Sequence, residues 1–376
     1  MRIGIFFHRF DDGGAEKTTV RLANELAKRG HAVTIAVRYD RGPARALVSS
    51  AVRVVDMKLP EKGKLVKNIR NVRILKGMMG SGDYDVLMAV TSEMAEVAAV
   101  SCAFGGKKIP LVCVLHSTLS VEQTSFRALR HMLHGFFDRQ YDRVIAVSEA
   151  VRLDYLKSCG AEPGKAVTIY NPLVDERVMR LSGIRPDHPW LVPDRTFRTL
   201  LMVGRLSYPK NHALMFRVLK KLLREGDYRL VLLGEGELRE ELETLAEDMG
   251  IRAQVDFAGY TDNPFGYMAY CDCLVLSSHY EGLPSVLVEG LACAGTIVSV
   301  DCPSGPAEIL EGDTYGVLVK SGDEKALKEG ILEALQRRTD PELLRRRSED
   351  FSVSGSVDRY ESVLLQTVED FRKGRT

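Results

Sequence analysis

Short apolar runs alternate with amphipathic stretches through the first half of the chain. A β-branched and aromatic run at residues 2–7 is followed by a helical pattern from about Glu16 to Lys28, and Gly30 ends that pattern. Because strands that alternate with helices pair in parallel, the pattern predicts a parallel sheet with helices on both faces. The runs predicted as its strands are residues 2–7, 32–37, 52–55, 85–90, 109–115, 143–147 and 166–169.

The alternation stops at residues 181–193, where three prolines fall within eight residues and no periodicity is usable. We interpret this stretch as an interdomain linker. From about Asp323 the pattern is helical, and it ends in a helix at residues 357–371 with one apolar side. The strands predicted between these points are residues 198–203, 229–233, 254–257, 273–276, 296–300 and 317–319.

The length of the chain supports two domains, because 376 residues exceed what one hydrophobic core usually serves. We expect an α/β protein with two Rossmann-like, doubly wound domains, at residues 1–185 and 195–350. With 52 basic and 51 acidic side chains, the formal net charge of +1 gives no general attraction to nucleic acid. No apolar run approaches the roughly 18 residues of a membrane span, and residues 1–7 are too short for a signal peptide. We therefore expect a cytoplasmic protein.

Cysteine and histidine give little sign of a metal site. The seven cysteines are scattered from Cys102 to Cys302, which is typical of reduced thiols that pack as small core residues. His131 and His134 lie three residues apart on a predicted helix, but no second pair of ligands stands nearby. We interpret the two histidines as part of a solvated helix face and predict no bound metal.

Loops that follow strands are where open parallel α/β sheets bind ligands, because glycine-rich turns there bring helix N-termini to an anion. The first such loop places Gly13 and Gly14 directly before a helix whose first turn carries Lys17. Paired glycines let the backbone approach a phosphate or a sugar closely, although a simple tight turn also explains them. Gly13, Gly14 and Lys17 are therefore candidates for contacts with such a ligand.

Two cations, Arg205 and Lys210, stand in the loop after the first strand of the second half, beside Gly204. The planar fork of arginine and the point charge of lysine suit a diphosphate, whose negative charge grows when its bond to a sugar breaks. The alternative is a pair of solvated surface cations. At the next strand end, Gly234 suggests close backbone packing against a nucleotide or the opposite domain. At the strand end after that, Tyr260 is either part of a nucleobase pocket or a rim residue.

Two glutamates form the strongest candidate element. Glu281 lies in the loop before a helix that Pro284 starts, and Glu289 lies about two turns inside that helix. Because the helix is otherwise apolar we predict that it is mostly buried, where a glutamate without a partner is costly. The two carboxylates can then bind two separate polyols. The alternative is one glutamate that stabilises the helix dipole and a second at the surface.

The order and spacing of these elements resemble glycosyltransferase family 4, a large retaining family with the GT-B fold of two Rossmann-like domains that face across a cleft. The similarity lies in Gly-Arg-Leu at 204–206, a lysine five positions beyond that arginine, and two glutamates separated by seven residues. It extends over nearly the whole chain, including segments 13–17, 145–149, 169–172 and 301–310. The chain departs from the family at Ala294-Gly295-Thr296, where many relatives have proline after the glycine.

The resemblance implies a role for each candidate residue. Arg205 and Lys210 bind the donor diphosphate, Glu289 the ribose hydroxyls, and Glu281 the hydroxyls of the transferred sugar. Gly13, Gly14 and Lys17 contact the acceptor. His116 lies in the cleft near the reacting centre and also contacts the acceptor, and the final helix, about 355–376, packs back on the N-terminal domain. Backbone amides near 283–285 face the sugar phosphate. The implied catalytic residues are Glu281, His116, Arg205 and Lys210. The implied donor-binding residues are Gly14, Gly204, Arg205, Lys210, Gly234, Tyr260, Glu281, Gly282, Leu283, Pro284, Ser285 and Glu289.

The implied reaction moves a hexose or N-acetylhexosamine from a nucleotide diphosphate sugar to a glycan or lipid-linked oligosaccharide in bacterial surface polysaccharide synthesis. UDP is the expected nucleotide, because residues 301–310 resemble bacterial transferases of those sugars. We expect retention of configuration, with the departing diphosphate helping to deprotonate the acceptor. We expect no cofactor and no metal, because the two cations and a helix dipole stabilise the leaving group. The alternatives are a sugar-nucleotide epimerase, a phosphorylase and a nucleotide-sugar-binding protein without catalysis.

A basic stretch at residues 58–76 suggests a second partner. Residues 57–80 contain seven cations and one acid, a local net charge of +6. At helical spacing Lys67, Arg70 and Arg73 lie opposite an apolar side, an arrangement that suits an anionic membrane surface. A solvated helix with a basic face explains the same pattern. The seven cations are Lys58, Lys62, Lys64, Lys67, Arg70, Arg73 and Lys76.

Overall fold

The computed structural model describes residues 1–11, 13–60, 64–105, 108–120, 134–337 and 339–374. The chain divides into two compact units. The first unit consists of Met1–Pro172 and Val353–Thr376, and the second of Leu173–Ser352. Each unit is a doubly wound α/β domain with its own hydrophobic core, as the alternation of strands and helices predicts.

Seven parallel strands form the sheet of the first unit, in the order β3-β2-β1-β4-β5-β6-β7. All seven agree with the predicted runs to within two residues at each end. Ile5 of β1 pairs with Ile35 of β2 on one side and with Met88 of β4 on the other, so the central strands are buried. The strands are β1 (Arg2–Arg9), β2 (Ala32–Tyr39), β3 (Arg53–Asp56), β4 (Val86–Val90), β5 (Leu111–Leu115), β6 (Arg143–Ala146) and β7 (Ala166–Thr168).

The helices of the first unit include one from the far end of the chain. They are α1 (Gly14–Lys28), α2 (Lys64–Gly80), α3 (Ser92–Gly105), α4 (Glu149–Cys159) and α13 (Val353–Lys373), and residues 134–138 are helical as well. The apolar side of α13 packs into the core, because Val357, Tyr360 and Leu364 are buried there. Its Glu361 binds Arg29 and His31 through its two carboxylate oxygens, each at 2.8 Å. The last helix therefore folds as part of the first unit.

The sheet of the second unit has six parallel strands in the order β10-β9-β8-β11-β12-β13. Its strands are β8 (Arg198–Val203), β9 (Tyr228–Leu233), β10 (Val255–Gly259), β11 (Cys273–Leu276), β12 (Ile297–Asp301) and β13 (Val317–Lys320). Its helices are α5 (Glu176–Ser182), α6 (His212–Leu222), α7 (Arg239–Asp248), α8 (Pro264–Tyr270), α9 (Ser285–Ala292), α10 (Pro306–Leu310), α11 (Glu324–Gln336) and α12 (Pro341–Ser348).

The prediction that residues 181–193 form the interdomain linker is wrong. This segment packs within the second unit: Leu191 is buried, and His188 Nε2 lies 2.9 Å from Asp256 Oδ2 of β10. The guanidinium of Arg185 lies 4.2 Å from the ring centre of Tyr270 in α8. The chain passes between the units at residues 172–173 and 352–353 instead, so α5 also belongs to the second unit and the first does not extend to residue 185. The prolines of residues 181–193 interrupt the hydrophobic periodicity of the sequence, but side-chain contacts hold these residues against the rest of the second unit.

Strand order reverses once in each sheet, between β1 and β4 and between β8 and β11. In doubly wound sheets the loops on either side of such a reversal diverge at the carboxyl ends of the strands and leave a crevice for ligands. The loop after β8 carries Arg205 and Lys210, and the loop after β11 carries Glu281. The fold therefore brings the two strongest sequence elements to the same crevice. Among the described helices, none is long and apolar enough to cross a bilayer.

Candidate active site

Lys210 and Glu281 meet at the reversal point of the second sheet. Lys210 Nζ lies 2.6 Å from Glu281 Oε1, and the Glu281 side chain is only 13% exposed. Both side chains were predicted separately, from two motifs that stand 71 residues apart in the chain. The ion pair joins the loop after β8 to the loop after β11, and it makes one cluster of the two motifs.

Several further contacts fasten the same two loops together. Ser277 Oγ donates to the backbone oxygens of Lys210 and Asn211, and the N–H of His279 donates to the Pro209 oxygen at 2.7 Å. The ring of Tyr208 stacks on that of His279, with ring centres 4.7 Å apart. Because these contacts involve backbone as well as side chains, they hold Lys210 and Glu281 in register with each other.

A third loop, after β12, supports the backbone of Glu281. The Glu281 N–H donates to the Pro303 oxygen at 2.8 Å, and the Ser304 N–H donates to the Glu281 oxygen at 2.9 Å. The Ser304 hydroxyl also donates to the Gly282 oxygen at 3.0 Å. Gly305 has a φ of 98°, and a Cβ there would lie 2.6 Å from Pro284 Cδ, so glycine is required at that position. Residues 303–305, which lie in the 301–310 segment of the family resemblance, therefore support the loop that carries Glu281.

Arg205 lies in a more open position than Lys210. Its side chain is 71% exposed, and its Nε lies 3.1 Å from Glu237 Oε2 in the loop after β9. An exposed ion pair of this kind contributes only about 0–1 kcal/mol to stability. The guanidinium can therefore exchange Glu237 for a stronger anion at little cost to the fold.

The glycines of these loops serve contacts within the second unit. A Cβ on Gly234 would lie 2.0 Å from the Gly204 oxygen, and one on Gly204 would lie 3.1 Å from Lys210 Cε. Gly234 therefore allows the loops after β8 and β9 to touch, and Gly204 leaves room for the lysine stem. The close approach predicted at Gly234 is explained by a neighbouring loop.

The helix α9 begins at Ser285 and ends at Ala292, with Pro284 as its N-cap. Pro284 has no N–H, so the expectation of an amide donor there is wrong, and the N–H groups nearest the helix start are those of Leu283 and Ser285. The helix is mostly buried, as predicted, whereas Glu289 is half-buried. Tyr260 is exposed directly after β10. These positions stay predictions as nucleotide contacts.

Sequence reasoning missed residues that the fold brings to the site. Ser278 donates from Oγ to Glu281 Oε1 at 2.7 Å. His212 begins α6, is only 3% exposed, and burial with the nearby Lys210 charge lowers its pKa to about 4. Serine next to serine and histidine after asparagine have no distinctive spacing, so only the paired loops reveal them. The stacked Tyr208 and His279 rings were likewise not visible in either motif alone.

The first unit carries the predicted acceptor residues at its own strand ends. His116 directly follows β5, and desolvation lowers the pKa of its imidazole to about 4, so the ring is neutral at pH 7. A Cβ on Gly13 would lie only 2.3 Å from a carboxylate oxygen of Glu16. A Cβ on Gly14 would have no other atom within 4 Å. Gly13 therefore makes room for Glu16, and Gly14 keeps the open backbone that was predicted. Lys17 is half-buried in the first turn of α1.

Arg38 forms a buried polar cluster near the same edge of the first sheet. Its Nη1 lies 2.6 Å from Glu93 Oε1 and 3.4 Å from His8 Nδ1. With the Asn71 amide turned so that its oxygen faces the guanidinium, Asn71 accepts from Nε at 2.9 Å and from Nη2 at 3.1 Å. Desolvation and the Arg38 charge lower the pKa of His8. The cluster links α2 and α3 to the ends of β1 and β2.

The described residues contain no cluster of three or more His, Cys, Asp or Glu side chains able to hold a metal ion. His131 lies outside the described residues. His134 is buried beside Cys113, Tyr141 and Tyr155, so the prediction of a solvated helix face is wrong for it. This side of its helix therefore faces the protein interior.

Two family profiles match the chain in tandem. The profile described as Glycosyltransferase Family 4 matches residues 12–177, and the profile described as Glycosyl transferases group 1 matches residues 187–350. The match in the second half contains Arg205, Lys210, Glu281 and Glu289 in their predicted order. This chain is a glycosyltransferase with a family 4 domain followed by a group 1 domain.

Characterised relatives span nearly the full length of the glycosyltransferase. An N-acetylgalactosamine-N,N'-diacetylbacillosaminyl-diphospho-undecaprenol 4-alpha-N-acetylgalactosaminyltransferase of Campylobacter jejuni is 25% identical, over 89% of this chain and 90% of that protein. The lipopolysaccharide core biosynthesis glycosyltransferase LpsE of Rhizobium meliloti is 28% identical, over 86% of each chain. The crystal structure of Anabaena HepE with UDP superposes with a TM-score of 0.78 at 20% identity, over 97% of this chain and 100% of that one. The fold is therefore GT-B, and the protein is a glycosyltransferase.

Proposed function

We propose that the glycosyltransferase moves a hexose or N-acetylhexosamine from a UDP-linked donor, with retention of configuration, to a lipid-linked oligosaccharide or glycan of a bacterial surface polysaccharide. One observation carries the donor half of this proposal: Lys210 and Glu281 form one ion pair at the reversal point of the second sheet. A cation for the phosphates and a carboxylate for the sugar hydroxyls lie there within one hydrogen bond of each other.

The leaving diphosphate gains negative charge as the glycosidic bond breaks, so fixed positive charge beside it lowers the barrier. Lys210 supplies a partly buried point charge, and Arg205 supplies a planar fork that can bind two phosphate oxygens at once. The dipole at the start of α9 adds partial positive charge from Leu283 and Ser285. We propose that these groups replace a divalent ion, so transfer proceeds without metal.

The two glutamates have separate tasks in this proposal. Glu281, held close to Lys210, accepts hydrogen bonds from hydroxyls of the transferred sugar. Glu289, two turns further along at a half-buried position of α9, accepts from the ribose hydroxyls. A carboxylate that accepts from sugar hydroxyls exchanges water for fixed partners, and the bound donor is thereby oriented for attack.

For the acceptor, the resemblance and the first unit support a polar strand edge with Gly13, Gly14, Lys17 and His116. The neutral imidazole of His116 can accept a hydrogen bond at pH 7 from an acceptor hydroxyl other than the attacking one. We propose that the departing diphosphate takes the proton of the attacking hydroxyl. The relative from Campylobacter jejuni is named for transfer to a diphospho-undecaprenol-linked sugar, which supports a lipid-linked acceptor here.

The alternatives receive less support than a transferase. Both family profiles and the relatives above are those of glycosyltransferases, so neither an epimerase nor a binding protein without catalysis is favoured. UDP remains the first nucleotide to test, because the structurally similar HepE holds it.

We also propose that the first unit attaches to an anionic membrane through α2. Arg70, Arg73 and Lys76 are exposed along this helix, and Lys62, Lys64 and Lys67 extend the stretch with side chains outside the described part of the chain. Ile69 is 61% exposed on the same helix. At its far end Lys76 donates to the backbone oxygen of Phe104, whose ring is 76% exposed. Exposed apolar side chains between cations suit the boundary of headgroups and acyl chains.

A panel of UDP-, GDP- and dTDP-linked hexoses and N-acetylhexosamines tests the donor directly. We expect the protein to bind UDP-sugars and to release UDP slowly by hydrolysis, faster when lipid extract containing diphospholipid-linked oligosaccharide is added. NMR of the anomeric proton in the product reports the configuration. Turnover of a GDP- or dTDP-sugar, with no turnover of any UDP-sugar, would overturn the proposal that UDP is the nucleotide of the donor. Interconversion of one nucleotide sugar into another without an acceptor would support the epimerase.

A further inference from the structure

Glu281 receives two side-chain hydrogen bonds, and both end on the same oxygen. Lys210 Nζ donates to Oε1 at 2.6 Å, and Ser278 Oγ donates to Oε1 at 2.7 Å. Ser278 is completely buried, three residues before the glutamate in the same loop. The backbone of Glu281 is fixed as well, through Pro303 and Ser304. With Oε1 held by two donors and the backbone held by a third loop, the direction of Oε2 is set.

The two donors to Oε1 respond differently to a bound diphosphate. Lys210 carries the charge that attracts phosphate, so a diphosphate competes with Glu281 for its ammonium group. Ser278 is neutral and buried, and its hydroxyl belongs to the loop of Glu281 itself, so phosphate cannot draw it away. When the donor binds, Ser278 is therefore the contact that keeps the carboxylate in place.

From this geometry we propose that Ser278 is a positioning residue: it holds Glu281 Oε1 so that Oε2 accepts a hydrogen bond from the donor sugar while Lys210 turns to the diphosphate. The inference rests on the proposed role of Glu281 in binding the transferred sugar. The positioning role has a specific consequence: binding of the sugar part of the donor depends on Ser278, and binding of the nucleotide part does not. Neither sequence motif assigns this serine a task.

Calorimetric titration of UDP and of the UDP-sugar chosen by the donor panel separates these parts. For Ser278→Ala we expect the UDP-sugar to bind roughly tenfold more weakly, with UDP binding unchanged, because one hydrogen bond to a charged group is lost. Ser278→Thr keeps the hydroxyl and should recover most of the UDP-sugar affinity. Ser299→Ala is the matched control, since Ser299 is an equally buried serine of β12 whose hydroxyl bonds only to a backbone oxygen.

A neighbouring variant gives the opposite signature. Ser277 fastens the backbone of Lys210 and Asn211, so Ser277→Ala should weaken UDP and the UDP-sugar by the same factor. Equal weakening of both ligands by Ser278→Ala, or no change in either, would overturn the positioning role. If Ser278→Ala does not fold, Ser278→Thr tests the positioning role instead. The role would be overturned if Ser278→Thr did not bind the UDP-sugar with nearly the wild-type affinity relative to UDP. If the wild type binds no UDP-sugar, the proposed function fails rather than this inference.

Discussion

Lys210 Nζ and Glu281 Oε1 lie 2.6 Å apart, so the cation proposed for the diphosphate and the carboxylate proposed for the sugar are direct partners. In the proposed site a bound diphosphate draws Lys210 towards its phosphates, and Glu281 then keeps only one of these two side-chain donors, Ser278. Recognition of the nucleotide therefore changes the contacts of the carboxylate proposed for the sugar.

Removal of the Lys210 charge should impair catalysis more than binding. We expect Lys210→Met to lower kcat roughly 100- to 1000-fold, because a fixed charge beside the leaving group is lost and its effect is largest in the transition state. Glu281→Ala should also lower turnover strongly. Lys221→Met is the control, because Lys221 pairs with Glu324 on the surface of the same unit. Steady-state kinetics with the true donor measures all three, and near wild-type turnover for Glu281→Ala would remove Glu281 from the site.

The pair between Arg205 and Glu237 predicts a gain in affinity. Glu237 lies 3.1 Å from Arg205 Nε and opposes any anion that binds there, so Glu237→Gln should tighten UDP by about two- to fivefold. Glu243→Gln is the control, because Glu243 pairs with Arg239 in α7. Calorimetry at two salt concentrations measures the change. A variant that binds UDP no better than wild type would show that Glu237 does not compete with the phosphates for Arg205.

Acid should destabilise the second unit through His212. Its folded pKa of about 4 lies below the usual 6.5, so the unfolded chain takes up a proton first as the pH falls through this interval. Stability present above pH 6.5 is then lost progressively down to pH 4, with about 2 kcal/mol lost between pH 7 and pH 5. His212→Gln should flatten this dependence. Urea unfolding followed by Trp190, the one tryptophan of the chain, reports on this unit; an equal slope in His212→Gln would refute the assignment.

Membrane attachment should depend on α2 and on Phe104. In sedimentation with phosphatidylglycerol vesicles we expect the wild type to bind and to be released by high salt. Arg70→Glu with Arg73→Glu should abolish binding, and Phe104→Asp should weaken it at every salt concentration. Lys220→Glu with Lys325→Glu is the charge-matched control on the second unit. Vesicle binding that is the same in all variants would leave α2 as an ordinary solvated helix.

Most of the fold could be predicted because its signals are local. Each strand of both sheets is a continuous apolar run between turn residues, and β8 and β11 fall at the predicted bounds. The segment around His188 could not be predicted, since its prolines remove periodicity while long-range contacts to Asp256 and Tyr270 place it. The apolar side of α13 was visible in the sequence, but the resemblance alone said which unit it packs on.

The sequence indicated single candidate residues, but it did not indicate the contacts between them. Charge and spacing singled out Arg205, Lys210 and Glu281 as candidates, because these side chains are chemically distinctive. Ser278 and Ser304 are ordinary polar residues, and their importance comes from the register between loops that are distant in sequence. Pro284 cannot donate a backbone hydrogen bond, so the N–H groups at the start of α9 are those of Leu283 and Ser285.

In the proposed donor site, protein cations and not a metal ion hold the diphosphate. Calorimetric titration of UDP into the wild type and into Lys210→Met, each with and without excess EDTA, tests this arrangement. We predict that the wild type binds UDP with the same affinity with or without EDTA, and that Lys210→Met binds at least tenfold more weakly. Loss of wild-type binding in EDTA with recovery on adding Mg²⁺, or unchanged binding by Lys210→Met, would contradict the account.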